Sequence, residues 1–202
     1  MGDGRFEGQV VVEWLDHRGA DRNMRLREAF AFVDEDGTRW DVPAGAIVNG
    51  ASIPQTFWTL FGPPFVGDYR RASVVHDYFC EVRTRSAGEV HRMFYDACRA
   101  GGVSYVRAKS MYAAVAAFGP NWTLDQAVVS SFGVDALAKS RGVGLDTRMA
   151  MDAFMELKND IEMTDPSLDE IDARIARDLQ VTPAVPLERL PQMVPQTRDG
   201  SS

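Results

Sequence analysis

Residues 74–80 read VVHDYFC, and the fold turns on how that run is read. The apolar residues mark a buried helix, yet His76 and Asp77 sit side by side within it. Both groups are costly to bury unless something pairs with them. On a helix, consecutive side chains point about 100° apart, so the two face different neighbours. In a structural reading His76 bonds a nearby carbonyl, and Asp77 pairs with Arg70, Arg71 or Arg83. In a chemical reading the imidazole faces a cleft and deprotonates a water, while the carboxylate holds a cation that stabilises the oxyanion.

Working outward, the sequence predicts a helix over 69–83 that carries this motif. A second helix over 87–100 ends at Gly101-Gly102, and a third over 104–118 ends at Gly119-Pro120. Upstream, Ser52 followed by Gln55 has capping-box spacing, with Pro54 in the first turn of a short helix through Phe57, Trp58 and Phe61. Gly50-Ala51-Ser52-Ile53-Pro54 is also half of a nucleophile elbow, but Pro54 replaces the second glycine and no strand clearly feeds it. Ser52 and Gln55 are therefore read as a structural cap.

The first fifty residues read as strand and turn. Residues 9–15 are β-rich, 24–33 mostly alternate, and Asp34-Glu35-Asp36-Gly37 supplies a tight turn into 38–42. The fold class is α+β: a small antiparallel sheet, a helical core with an antiparallel helix hairpin, C-terminal amphipathic helices and an extended tail. The expected divisions are a core over 1–120, a helical extension over 121–180 and a proline-rich tail over 181–202. In the extension, Met149, Ala153, Leu157 and Ile161 recur every four residues, and Leu168, Ile171, Ile175 and Leu179 form a second stripe. The second stripe either packs on the chain's own core or docks on another subunit. Its acidic opposite face and the tail beyond make it a candidate partner-binding surface.

Composition excludes several classes. With 202 residues, 45% apolar and 25% charged, the chain is globular. No run approaches the eighteen or so apolar residues of a membrane span. The start lacks the order of a signal peptide, and Phe6 stands where myristoylation wants Ser or Thr. Synthesis in the cytoplasm is the expectation. The net charge of −7 falls mostly after residue 120, where 8 basic and 14 acidic side chains stand against 14 and 15 before it. An acidic chain with no basic block is a poor match for nucleic acid.

Gly62-Pro63-Pro64 is a stiff turn able to present carbonyls, which suit a hard cation. His91 and Tyr95 share a face of the 87–100 helix, with Asp96 beside them. In an antiparallel hairpin that face approaches His76. A zinc site from His76, Cys80, His91 and Cys98 has workable spacing at its first pair. His91 and Cys98 are about 10 Å apart along their helix, long for one metal, so buried free thiols are the expectation for both cysteines.

The ordered set Val42-Pro43-Ala44-Gly45, Gly50-Ala51-Ser52-Ile53-Pro54, Phe57-Trp58, Gly62-Pro63-Pro64, His76-Asp77-Tyr78, Phe94, Ala108, Met111-Tyr112 and Gly119-Pro120 resembles the domain of unknown function numbered thirteen fifty-three. That resemblance implies a phage or prophage source and no established activity. More distantly, the Gly-Pro turn and His-Asp helix are similar to secreted phospholipases of the A-two type. This second resemblance implies His76 as base, Asp77 and the Gly62 region as calcium ligands, and Tyr78 or Tyr95 in support; His91, on the same face as Tyr95, completes the candidate catalytic group. Both resemblances lead to an expected Asp before Gly50 and another on the second helix of the hairpin; this chain has Asn49 and His91. A histidine cannot supply the negative charge that orients an imidazolium. The resulting expectation is a phage-type structural or accessory protein with a degenerate His-Asp site and no cofactor. It engages other proteins of an assembly, such as a virion, through its acidic arm. The alternative is a calcium-dependent hydrolase of phospholipid or another envelope component.

Overall fold

The computed structural model of the chain describes residues 4–15, 23–50, 52, 57–63, 65–123 and 147–179. Gln55, most of the 121–146 segment and the expected tail lie outside the described residues. Strands β1 (Arg5–Glu7), β2 (Val12–Trp14), β3 (Met24–Leu26), β4 (Phe30–Val33), β5 (Arg39–Val42) and β6 (Ile47–Val48) come first and helices follow, so the fold is α+β. The strands form two antiparallel sheets, ordered β1-β4-β5 and β2-β3-β6, rather than the single sheet expected. The run 24–33 divides: the Arg27 N–H continues the β2–β3 pairing to the carbonyl of Val11 at 2.8 Å, and the bend at 27–28 then carries the chain into the other sheet as β4.

The β4–β5 hairpin follows from its turn residues. Asp34 accepts from the Thr38 N–H at 2.7 Å and from the Trp40 indole at 3.2 Å, while Gly37 takes φ +83°. The register then pairs Phe32 with Trp40 and Phe30 with Val42. All four β4 residues are buried, and Phe6 of β1 stacks against the Phe30 and Phe32 rings.

Helix α1 (Trp58–Phe61) and a 3-10 turn (Gly67–Tyr69) lead into α2 (Arg70–Val82), which carries the His-Asp pair. Arg83 stops α2 in the left-handed region at φ 52°. Ser86 then starts α3 (Ala87–Ala100) with a capping box, its hydroxyl accepting from the Glu89 N–H and its N–H donating to the Glu89 carboxylate. Such a cap is worth about 1 kcal/mol. The four-residue link folds α3 back on α2 as a hairpin.

Helix α4 (Tyr105–Phe118) is buried over every residue from 108 to 117. Its small side chains let neighbours close in on all sides, and α3, α5 (Thr147–Thr164) and α6 (Leu168–Asp178) pack around it. From α5, Phe154 meets the Phe57 ring edge-on at 4.7 Å.

One expectation is corrected here. Ile171 and Ile175 are fully buried, Leu179 is buried and Leu168 is half-buried against the chain's own core, so this stripe is not open to a partner. An amphipathic period fixes which face is apolar but not what covers it. The match is locked by polar groups that the sequence reading did not pair. Asp172 accepts from Arg92 at 2.5 Å and from the Tyr112 hydroxyl at 2.6 Å, and Lys109 reaches Asp165 at 2.6 Å.

Asp172→Ala would leave the mostly buried Arg92 guanidinium with Asp169 alone and take the acceptor from the buried Tyr112 phenol. The expected loss is about 3 kcal/mol of unfolding free energy in urea titrations. A loss under about 1 kcal/mol would show that α6 is held by its apolar stripe alone.

Candidate functional site

The two residues of the opening motif face different partners, as the 100° turn requires. Asp77 points at the segment after β6. One carboxylate oxygen accepts from the N–H of Asn49 at 2.7 Å and Gly50 at 3.1 Å, and the other from the N–H of Ser52 at 3.3 Å. Gly50 sits at φ +71°, a conformation only glycine adopts readily, which helps turn neighbouring amides toward one carboxylate. No described contact ties Asp77 to Arg70, Arg71 or Arg83, so the expected arginine partner gives way to backbone.

His76 is fully buried and points at α3. Its Nε2 lies 2.9 Å from Nδ1 of His91, its Nδ1 lies 3.2 Å from the Ser52 hydroxyl, and the Phe94 ring covers it with centroids 4.6 Å apart. His91 Nε2 lies 3.1 Å from the Pro120 carbonyl. That last contact fixes the protons. A carbonyl only accepts, so His91 carries its hydrogen on Nε2 and Nδ1 is left as an acceptor. His76 therefore donates from Nε2, and the Ser52 hydroxyl donates to His76 Nδ1. Burial lowers the basicity of both rings, His91 to about 4, with the Pro120 carbonyl opposing, while His91 adds to the effect on His76. Both are neutral at pH 7.

Trp122 closes the site from outside. Its indole donates to the Arg85 carbonyl at 2.8 Å, holding 120–122 over the corner of the hairpin beside His91. The Cys80 sulfur lies 3.7 Å from His76 Nε2, and His76, Cys80 and His91 each offer a ligand atom within 4.8 Å of the others. Cys98 is buried elsewhere, with Arg107 and Asp96 as its charged neighbours.

The remaining expected residues are not brought together. Gly62 takes φ +91°, and a Cβ there would meet the Tyr69 hydroxyl at 2.8 Å. That hydroxyl lies 2.9 and 2.7 Å from the carbonyls of Phe61 and Pro63, which share its one hydrogen, so the Gly-Pro turn is bound to Tyr69 rather than to Asp77. The cleft beside Gly62 holds about 10 Å³, no more than a water's worth of space. Tyr95 is half-buried beside Arg99, Asp96, Tyr105 and Asp165, its phenol pushed up by burial to about 12, and no described contact joins it to His76. Phe94, one residue earlier, takes the place against the imidazole. Ser52 was expected as a helix cap; its described side-chain contact is with His76, and α1 starts at Trp58 with Phe57 before it and no side-chain cap. An open groove lined by Arg39, Asp41, Tyr78, Phe79, Arg85 and Glu89 lies toward the end of α2 and includes neither His76 nor Asp77.

These features define a class: an α+β domain built on a helix hairpin with a sealed histidine pair. Comparison with known proteins adds a likeness over part of the chain. Residues 24–115, a little under half of the chain, match the family described as Protein of unknown function (DUF1353). The chain is 53% identical over 107 residues to the uncharacterized protein y4jT of Sinorhizobium fredii, and 37% identical over 108 residues to the uncharacterized protein y4iH of the same strain. These alignments cover 53% and 54% of this chain, but only 32% and 45% of the two relatives' lengths. No solved structure matches the chain.

Two outcomes are expected. Asp77→Asn places an amide N–H₂ against backbone donors, so it should cost about 2–4 kcal/mol and speed hydrogen exchange at the amides of Asn49, Gly50 and Ser52. Unchanged protection there would remove Asp77 from its anchoring role. Asp96 behaves in the opposite sense to an ordinary carboxylate. Burial first, then Glu35, Asp34 and Asp36 raise it from 3.8 to about 7 against Arg92. Its contribution to stability is fully present below about pH 4 and is lost as pH rises through about 7. Asp96→Asn should flatten the fall in thermal midpoint between about pH 4 and about pH 7. A variant that keeps the wild-type slope would contradict this.

Proposed function

We propose that this chain is a structural or accessory protein, of the phage- or prophage-borne kind its family resemblance implies, with its His-Asp pair used for architecture. One observation carries the reading: His76 is fully buried, Asp77 is 7% exposed, and the polar atoms of both are engaged within the fold. A general base must reach the proton it removes, directly or through one water. His76 instead reaches Ser52 and His91. A calcium ligand must turn its lone pairs toward the ion at about 2.3–2.6 Å. Both Asp77 oxygens instead face N–H dipoles, which repel a cation, and the Pro63 carbonyl is bound to Tyr69. No observation favours the calcium-dependent hydrolase.

Among the described residues, the outer face of α5 and α6 offers an assembly partner a surface on which Asp152, Glu156, Glu162, Asp169, Glu170 and Asp178 are exposed. A basic partner suits it, and the acidic arm of the reading is this face together with whatever follows residue 179.

The test has two arms. The chain should sediment with phage-like particles from an induced host, and charge reversal at Asp152 and Glu156 together should reduce its incorporation at least about fivefold at physiological salt. Wild-type protein with calcium and phospholipid vesicles should show no turnover that His76→Ala abolishes. A chain absent from particles, or calcium-dependent turnover lost in that variant, would overturn the reading.

A further inference from the structure

We propose that His76, Cys80 and His91 form a buried binding site for a nitrogen- and thiolate-preferring d-block cation, with Zn²⁺ the expected ion. The three ligand atoms are within 4.8 Å of one another, and all three residues are buried. Four-coordinate zinc, with bonds of about 2.0–2.1 Å to nitrogen and about 2.3 Å to sulfur, sets ligand atoms roughly 3.3 Å apart for N···N and roughly 3.6 Å for N···S. The separations here are 2.9 Å for the two imidazoles and 3.7 Å for Cys80 Sγ to His76 Nε2. The third pair, Cys80 Sγ and His91 Nδ1, lies within 4.8 Å, so the fit requires the imidazoles to part by a few tenths of an ångström and the thiol to draw in toward His91. His76 and Cys80 lie one turn apart on α2, and α3 supplies the third donor, so the ion would clamp the hairpin.

The surrounding groups match what ligand histidines need, since each usually gives its second ring nitrogen to a fixed partner. His91 has the Pro120 carbonyl on Nε2, which leaves Nδ1 for the metal. His76 has the Ser52 hydroxyl on Nδ1, which leaves Nε2. Ser52 also lies within hydrogen-bond reach of the Cys80 sulfur. Proton counting is simple. The Cys80 thiol loses its proton to solvent and its sulfur lone pair forms the bond to zinc. The His76 ring stays neutral, giving up the hydrogen on Nε2 and gaining one on Nδ1. Ser52 then accepts from Nδ1–H and donates to the thiolate, the reverse of its role without the ion. One proton leaves per ion bound. Three protein donors leave a fourth position for a neutral water that enters with the ion, so the count stays at one proton.

Cys98, weighed as a fourth ligand from the sequence, is not part of this group. The site stands independently of the assembly reading, because a metal clamp serves an accessory protein and an enzyme alike.

The full chain, expressed with zinc and purified without chelator, should hold one zinc per chain by elemental analysis. Refolding with Co²⁺ should give a thiolate-to-cobalt charge-transfer band, and pH-stat titration should record one proton released per ion. Cys80→Ser should remove the band while Cys98→Ser keeps it. Survival in Cys98→Ser assigns the sulfur to Cys80 even if Cys80→Ser fails to fold. Ser52→Ala should weaken zinc about 10–100-fold, and excess Ca²⁺ should displace nothing. A copper arm, with Cu⁺ under reducing conditions, identifies the ion if copper outcompetes zinc at the same residues. Absence of stoichiometric Zn²⁺, Co²⁺ and Cu⁺, a cobalt complex without a thiolate band, or a band lost in Cys98→Ser would overturn the proposal.

Discussion

The join between the strands and the helix hairpin leans on one carboxylate. Asp77 is buried on α2, and three backbone N–H groups after β6 converge on it. A hydrogen bond to a charged group is worth about 1.5–3 kcal/mol, so together these contacts outweigh any single apolar side chain nearby. They fasten the β2-β3-β6 sheet to the helix hairpin and place the Ser52 hydroxyl against His76. From there the chain of hydrogen bonds runs through His91 to Pro120, and Trp122 closes it. Strands, hairpin and the end of α4 are thus joined through a single polar line across an apolar core.

That line explains why a histidine and an aspartate sit inside an apolar run. Asp77 supplies the negative partner that orphan amides need, and His76 supplies one donor and one acceptor to span the gap between Ser52 and His91. With His91 in place of an acid, the second imidazole can pass its own hydrogen to a carbonyl and keep a lone pair for its neighbour. The same neutrality that disqualifies the pair as an acid-oriented base makes it a suitable pair of metal donors.

Much of this architecture is legible in the sequence, and the reasons differ by element. The 34–37 turn and the helix over 87–100 are read directly, because Asp-Glu-Asp-Gly permits few backbones and a double glycine ends a helix. Ser86 and Glu89, like Ser167 and Glu170, carry the capping-box spacing openly, and both boxes form. They were there to be read, and were missed. The partners of Asp77 were not legible, since backbone amides leave no mark in the residue types around them. Tyr95 was misplaced for a related reason: sharing a face with His91 sets an angle around α3, but not which residue meets the neighbouring helix. The Leu168 stripe needed the burial of α4 on all sides before its covering could be known.

The central claim is that His76 and His91 are sealed, neutral and joined through a single shared hydrogen. Nitrogen-15 chemical shifts of the two rings, followed by long-range proton–nitrogen correlation across a pH titration of metal-free protein, test it most directly. The account predicts both rings neutral at pH 7, each with its hydrogen on Nε2, and no protonation until well below the ordinary histidine value of 6.5. A His76 ring that titrates near 6.5, or that carries its hydrogen on Nδ1 without metal, would contradict it.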